Sequence, residues 1–189
     1  GAGTIPDCAE VGLGGTYTSY PYISGTYHNS GNGALYFYSY TPNSTMIRFQ
    51  GLDLTENDDP LVMSFYEYKT SAGYGYIQAG YMTDASDFST FVALKTVYPS
   101  DIPTATWTEV RFAVPASVNG QVIYPTLYCP FAPGSSSNYL YIDDVTIEVG
   151  QNSCMAPHNL QFSNVSGSSA LATWTPDETA SGTETYHIE

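Results

Sequence analysis

Positive charge is the scarcest feature of this sequence. Its 189 residues include only 4 Lys and Arg against 18 Asp and Glu, which gives a formal net charge of −14. Nucleic acids and anionic membrane surfaces are bound through positively charged surface. The composition therefore argues against both as partners, and it is compatible with the binding of cations or neutral ligands.

Long apolar runs and helical periodicity are also missing. No segment approaches the length that a membrane-spanning helix needs, so we expect no membrane insertion. Hydrophobic residues still make up 42% of the chain, which supports a packed core. The 18 tyrosines, together with many Ser, Thr and Gly and only 12% charged residues, are typical of an extracellular β protein.

Cysteine is limited to Cys8, Cys129 and Cys154. An odd number allows at most one internal disulfide, and there is no CxxC pair or nearby His cluster to indicate zinc. We therefore expect one disulfide and one buried thiol. Cys129 follows Leu127 and Tyr128, a pattern that indicates a core position.

Short apolar segments separated by turn residues predict an all-β protein. Eight strands of this kind fit an antiparallel, two-sheet jelly-roll sandwich. The predicted strands are Ala34–Tyr40, Thr45–Phe49, Leu61–Lys69, Tyr74–Met82, Thr90–Thr96, Thr108–Val114, Val122–Cys129 and Tyr139–Val149.

The composition changes around residues 150–153. We predict a first domain over residues 1–150, a linker over 151–157 and an incomplete second β domain over 158–189. About 35 residues bury too little surface to be stable alone. An open apolar face of the second domain would need cover from a neighbour.

Two adjacent carboxylates, Asp143 and Asp144, interrupt the last predicted strand of the first domain. Side chains alternate between the faces of a strand, so one of the two should point into the core unless a bulge intervenes. A bare buried carboxylate is costly, and a hard cation would neutralise it. The alternative is a pair at the strand rim, bonded to loop amides and water.

The first domain resembles the cleaved-adhesin and MAM-like jelly-roll modules of large secreted bacterial surface proteins. The residues that carry this resemblance follow one another in the order Ile5–Cys8, Tyr20–Tyr22, Ser30-Gly31, Ala34–Phe37, Leu61–Tyr66, Gly80–Asp84, Phe88–Phe91, Trp107–Glu109 and Tyr141–Val145. The second domain resembles the start of a fibronectin type III domain, through Pro157, Leu160, Val165, Ser169–Leu171, Trp174 and Tyr186–Ile188.

The adhesin resemblance implies a structural calcium ion. Its carboxylate ligands would be Asp144 and Asp143, with backbone oxygens around Ser30 and Gly31. Relatives carry a further acidic strand upstream of the segment around Cys8, and without it a sheet edge is left vacant. Asp7 or Glu10 could replace its acids.

The chain ends of a jelly roll lie close together, so a Cys8–Cys154 disulfide fits the fold. Pairing of Cys8 with Cys129, or three reduced thiols, remain alternatives.

Tyrosines near loops are the candidate ligand-binding residues. Sugars stack their apolar faces on aromatic rings, and the candidates are Tyr20, Tyr22, Tyr27 and Tyr74. The alternative is that tyrosine is simply a good strand residue whose ring packs while its hydroxyl stays wet. Position within strands favours that alternative for Tyr36, Tyr38, Tyr66, Tyr68, Tyr76 and Tyr141.

Catalytic motifs are missing, since neither GxSxG nor HExxH occurs. Asp143 and Asp144 should face apart, which does not suit a pair of glycosidase carboxylates. We therefore predict a non-catalytic, secreted or cell-surface module that binds a glycan or a host or matrix surface protein. The alternative is a structural spacer whose incomplete sheet edges pair with another chain.

Overall fold

The computed structural model describes residues 5, 9–13, 17–40, 42–71, 76–131, 138–149, 158–163 and 171–175. The chain divides into two compact units, Gly1–Val149 and Gly150–Glu189. No helix among the described residues is long and apolar enough to cross a membrane.

The first unit is an antiparallel β-sandwich, as the sequence predicts. Its strands are β1 (Ala9–Val11), β2 (Tyr22–Ser24), β3 (Ala34–Ser39), β4 (Thr45–Phe49), β5 (Leu52–Asp53), β6 (Leu61–Tyr68), β7 (Ile77–Met82), β8 (Val92–Val97), β9 (Thr108–Val114), β10 (Val122–Cys129) and β11 (Asn138–Val149). The five-stranded sheet has the order β2-β3-β11-β6-β9. The six-stranded sheet has the order β1-β4-β10-β7-β8, with β5 beside β10.

The core lies between the two sheets because most inward positions of the long strands are apolar. Phe37, Phe65 and Ile142 come from the five-stranded sheet and are fully buried. Ile47, Ile77 and Leu127 meet them from the six-stranded sheet and are also fully buried. Burial at alternate positions leaves the other half of each strand for the outer faces.

The two outer faces differ. The segment between β7 and β8 packs Phe88 and Phe91 onto Tyr128 of β10, with ring centroids 4.8 and 5.9 Å apart. Met46, in register with Tyr128, is fully buried although it faces away from the core. The outer face of the six-stranded sheet is thus partly covered by the chain itself.

The second unit contains an antiparallel pair, β12 (His158–Ser163) and β13 (Leu171–Thr175). These strands contain Leu160, Leu171 and Trp174, which carry the resemblance to a fibronectin type III domain. The last segment of that resemblance, Tyr186–Ile188, lies outside the described residues.

Candidate functional site

Tyrosines occupy facing positions on four adjacent strands of the five-stranded sheet. Tyr22 of β2 is in register with Tyr36 of β3, which is in register with Tyr141 of β11. Tyr141 is in turn in register with Tyr68 of β6. The residues that flank these tyrosines on β3 and β11, such as Phe37 and Leu140, are buried in the core. The four tyrosines therefore share the outer face.

Neighbouring rings along this row are in contact. The centroid distances are 5.4 Å for Tyr22–Tyr36, 4.8 Å for Tyr36–Tyr141 and 6.2 Å for Tyr141–Tyr68. Trp107, just before β9, continues the row at 5.2 Å from Tyr68. The row therefore runs across the strands from one edge of the sheet to the other.

A second group of rings widens the row at the β2 and β3 end. Tyr20 lies 5.3 Å from both Tyr22 and Tyr38. Tyr17 and Tyr40 continue it, each at 5.6 Å from its neighbours. We call the whole set the aromatic band. It consists of Tyr17, Tyr20, Tyr22, Tyr27, Tyr36, Tyr38, Tyr40, Tyr68, Trp107 and Tyr141.

Tyr27 reaches the band from the loop between β2 and β3. Its ring stacks on Tyr68 at 4.9 Å with an interplanar angle of 25°, and it meets Tyr141 edge-on at 5.1 Å. Tyr27 remains 38% exposed, whereas Tyr141 beneath it is only 8% exposed. The loop thus lies over the outer face of the sheet and presents one ring to solvent.

Asp143 and Asp144 hold this loop in place. The backbone N–H groups of Asn29 and Ser30 donate to Oδ2 of Asp143, at 2.7 and 3.0 Å. The Asn29 side-chain amide donates to Oδ2 of Asp144 at 2.9 Å, and the Ser30 hydroxyl donates to Oδ1 of Asp144. Oδ1 of Asp143 accepts from the backbone N–H of Asp144 at 2.9 Å. Each of the four carboxylate oxygens therefore has a donor.

A β-bulge makes this arrangement possible. The register between β11 and β6 shifts between Asp143 and Thr146, and Asp144 takes a left-handed φ of +50°. Aspartate tolerates this region better than most residues. Because the bulge inserts one extra residue, both carboxylates reach the same loop. The prediction that Asp143 and Asp144 face apart is therefore wrong, and the loop-amide alternative describes their contacts.

The groups around Asp143 and Asp144 determine whether a calcium ion could bind at this position. Calcium takes 6–8 oxygen ligands. Asp144 and the Ser30 hydroxyl can supply oxygens at one place, whereas Asn29 presents its amide N–H group to Asp144. Two backbone N–H groups point at Asp143, however, and a cation is not favoured beside them. Among the described contacts, Gly31 makes none with either carboxylate. No group of three or more His, Cys, Asp or Glu side chains suited to a metal occurs in the described part of the chain.

Crowding of the rings affects their hydroxyl groups. Burial, with a smaller contribution from the neighbouring Tyr141, raises the pKa of Tyr36 to about 12. Burial also raises the pKa of Tyr20 and Tyr141 above the ordinary value. The hydroxyls of these three tyrosines therefore stay protonated at neutral pH, and each can donate and accept a hydrogen bond.

The structure brings three of the four candidate tyrosines together. Tyr20, Tyr22 and Tyr27 belong to the aromatic band, while Tyr74 lies outside the described residues. The pairing of Cys8 with Cys154 also lies outside them. Cys129 is buried, and the hydroxyl oxygen of Ser39 lies 3.6 Å from the Cys129 sulfur.

Sequence reasoning missed the contribution of the strand tyrosines. Tyr36, Tyr38 and Tyr40 are spaced two residues apart, with Phe37 and Ser39 between them. Residues spaced two apart lie on the same face of a strand. This spacing could therefore have predicted a row of tyrosines on the outer face of the sheet. The same two-residue spacing recurs in Tyr66 and Tyr68, and in Tyr139 and Tyr141.

The fold has solved counterparts. The K1 and K3 cleaved adhesin domains of Lys-gingipain from Porphyromonas gingivalis superpose with TM-scores of 0.55 and 0.54, at 18% and 20% sequence identity. The K1 match covers 78% of this chain and 94% of that one; the K3 match covers 76% and 91%. The xylan-binding module CBM15 gives a TM-score of 0.52 at 14% identity, over 80% of this chain and 97% of that one.

The first unit thus has the fold of the cleaved adhesin domains and of the xylan-binding module CBM15. The resemblance of the first domain to cleaved-adhesin modules is confirmed at the level of the fold, and the resemblance of the second domain to a fibronectin type III domain stays a prediction. Neither a protein-family model nor a curated protein sequence matches the chain.

Proposed function

We propose that the first unit is a non-catalytic module that binds glycans through the aromatic band, within a secreted or cell-surface protein. The observation that carries this proposal is the concentration of ten contacting rings on one outer sheet face. Soluble monomeric proteins rarely expose contiguous apolar patches unless the patch binds something. Tyrosine suits a sugar ligand because its ring stacks and its hydroxyl bonds to water or to a ligand.

The fold is compatible with this role but does not establish it. Adhesin domains and a xylan-binding module share it, so both adhesion to a host or matrix protein and glycan binding are open to such a sandwich. The aromatic band favours the glycan. Both carboxylates of the Asp143–Asp144 pair are engaged in holding the loop: donors from the loop reach three of the four oxygens, and the backbone N–H of Asp144 reaches the fourth.

A glycan array tests the proposal directly. We expect binding of the intact chain to a subset of glycans, and loss of that binding in the Tyr27→Ala variant. Tyr98→Ala is a matched control, because Tyr98 is also exposed, at 52%, and follows β8 of the other sheet. Absence of binding to every glycan would overturn the proposal.

A structural calcium ion remains a proposal for the loop contact. Asp144, Asp143 and the Ser30 hydroxyl would hold the ion, with the Asn29 amide turned so that its oxygen faces the ion, and the ion would tie the loop to β11. Ligand binding to the native state raises apparent stability. Thermal unfolding with millimolar calcium and with chelator should then differ in the wild type and not in Asp144→Asn; identical melting curves would exclude the ion.

A second candidate function is strand pairing with another chain. From Thr146 to Val149, β11 pairs with β6 on one side, and no described strand lies on its other side. A mostly apolar cavity of about 220 Å³ borders the same segment and is lined by Phe49, Gln50, Leu52, Pro125, Val145, Thr146 and Ile147. Unpaired edges invite strand addition.

Hydrogen exchange tests the second candidate. If another copy adds a strand here, the amides of residues 146–149 should become more protected as protein concentration rises, together with a dimer in light scattering. Exchange that does not depend on concentration, in a strictly monomeric protein, would count against self-pairing.

A further inference from the structure

We infer that the aromatic band takes an internal stretch of a linear, uncharged polysaccharide laid across the strands. This inference rests on the proposed glycan-binding function and adds the class of ligand. It is carried by three features of the band: its extent, its openness and its lack of available cations.

The extent of the band indicates a chain rather than a single sugar. Contacting rings run from Tyr22 on the β2 edge to Trp107 beside the β9 edge. Five strands at the usual spacing place these ends roughly 19 Å apart. A monosaccharide would contact only one or two of these rings, whereas a linear chain of several units can reach from Tyr22 over Tyr27 to Trp107. Tyr141, which is 8% exposed beneath Tyr27, supports the row from below.

The openness of the band indicates an internal stretch rather than a chain end. Recognition of a chain end needs a cavity with convergent polar groups that encloses it. The two cavities with a fully described lining lie elsewhere, beside Asp53–Asn57 and beside Val145–Ile147, and no ring of the band lines either. Tyr27, the ring that stands over the row, is presented to solvent from above.

The charges around the band indicate a neutral polymer. All four cationic side chains of the sequence are accounted for. Arg48 pairs with Glu10 and Lys95 lies on β8, both in the six-stranded sheet. Lys69 is buried and donates to the Pro99 carbonyl. Only Arg111 lies on the outer face of the five-stranded sheet, and it pairs with Glu148 at 2.9 Å.

An acidic polysaccharide would therefore meet no unpaired cation on this face and a strongly negative protein overall. A neutral chain needs only stacking surface and hydroxyl partners, and the band supplies both. Stacking does not depend on charge, whereas exposed ion pairs are screened by salt. The affinity of the band for a neutral polysaccharide should therefore change little with ionic strength.

The test uses the intact chain in affinity electrophoresis with soluble neutral polysaccharides, namely a β-glucan, a xylan and a mannan, and with acidic polygalacturonate. Calorimetry then follows a series from monosaccharide to hexasaccharide of whichever neutral polymer retards the protein. We expect retardation only by neutral polymers, affinity that rises along the series, and no salt dependence.

Three variants connect the result to the band. Tyr20→Ala and Tyr27→Ala remove rings that lie outside the strands, so the fold should survive, and thermal melts check that it does. Each should weaken hexasaccharide binding about tenfold, the order expected for one aromatic contact. Tyr98→Ala, on the other sheet, should leave it unchanged.

The possible results distinguish failure of the proposed glycan-binding function from failure of the inferred class of ligand. If no polymer and no oligosaccharide binds, the proposed glycan-binding function fails. If polygalacturonate binds, if a monosaccharide binds as tightly as the hexasaccharide, or if both band variants bind like the wild type, glycan binding stands and the inference of a neutral linear chain on this face is overturned.

Discussion

At the scale of single residues, Asp144 shows how one backbone angle decides the role of a side chain. Its left-handed φ turns the carboxylate toward the loop, where the Ser30 hydroxyl and the Asn29 amide donate to it. A strand without the bulge would direct one of the two carboxylates into the core. The contact is therefore a product of the bulge as much as of the residue.

Asp144→Asn tests this contact. Asparagine tolerates the same backbone region, but its amide replaces an acceptor by a donor opposite the Asn29 amide. We expect the free energy of unfolding to fall by about 2 kcal/mol, measured by urea denaturation in the presence of chelator. Asp58→Asn, at an exposed loop position, is the control; an equal effect in both variants would refute a specific role for Asp144.

Glu67 is a second residue whose environment changes the behaviour of its side chain, in this case its protonation state. It lies on β6 opposite Ile142, is 3% exposed, and its Oε2 has no hydrogen-bond partner among the described residues. Burial raises its pKa to about 8; Lys69 lowers it by less, and Asp101 raises it further. The side chain is therefore neutral in the folded protein at pH values where it ionises in the unfolded chain.

This raised pKa predicts the sign of a pH effect. Between about pH 4.5 and pH 8 the unfolded state loses the Glu67 proton and the folded state keeps it. The contribution of Glu67 to stability therefore falls as pH rises through this window, by at most about 1.4 kcal/mol per pH unit. Urea unfolding should show the advantage of Glu67→Gln over the wild type growing from pH 5 to pH 8; an advantage that stays constant over this range would contradict the raised pKa.

At the scale of elements, sequence patterns predicted the long strands well. The predicted bounds of β4, β9 and β10 match the structure, because each alternates inward apolar residues with outward ones and is flanked by turn residues. The strands β1, β2 and β5 were missed. They have two or three residues each, so they owe their existence to pairing with β4, β3 and β10 rather than to a local pattern.

The candidate site was predictable only in part, for a similar reason. Loop tyrosines such as Tyr20 were identified by their neighbours in the sequence. The strand tyrosines were assigned to packing, yet packing on the outer face is what joins them to Tyr20 and Tyr27. The segment between β7 and β8 partly covers the outer face of the six-stranded sheet and leaves that of the five-stranded sheet more open. No local pattern in the sequence indicates which of the two faces is covered.

A substitution at Gly80 tests the pairing of β7 with β8. The register shifts between Ala79 and Gly80, and a Cβ atom at Gly80 would lie 1.9 Å from the backbone oxygen of Val92. Backbone cannot move away cheaply, so Gly80→Ala should lower the free energy of unfolding by about 2 kcal/mol or more. Gly25→Ala, whose Cβ would lie 3.4 Å from its nearest neighbour, should change it far less. Equal urea midpoints for the two variants would contradict the close approach.

At the scale of the whole molecule, the band and its sheet lie within the unit that ends at Val149. We expect a fragment of residues 1–149 to unfold cooperatively and to bind the same glycans as the intact chain. Calorimetry and affinity electrophoresis of the fragment measure both properties. A fragment that folds but binds nothing would place the ligand site beyond the aromatic band.

The charge of the whole molecule complements the chemistry of its surface. A net charge of −14 keeps polyanions away, while the few cations are paired, buried or on the other sheet. The inferred selectivity for neutral ligands would therefore depend on the composition of the chain as well as on the rings of the aromatic band.

The most direct test of the central claim is an NMR titration of the intact chain with a soluble neutral polysaccharide, observing the ring resonances of Tyr and Trp. The account predicts that the resonances of Tyr20, Tyr27 and Trp107 shift together and saturably, while those of Tyr98 and Tyr124 on the other sheet stay in place. Saturable shifts confined to Tyr98 and Tyr124, or no shift with any neutral polysaccharide, would contradict it.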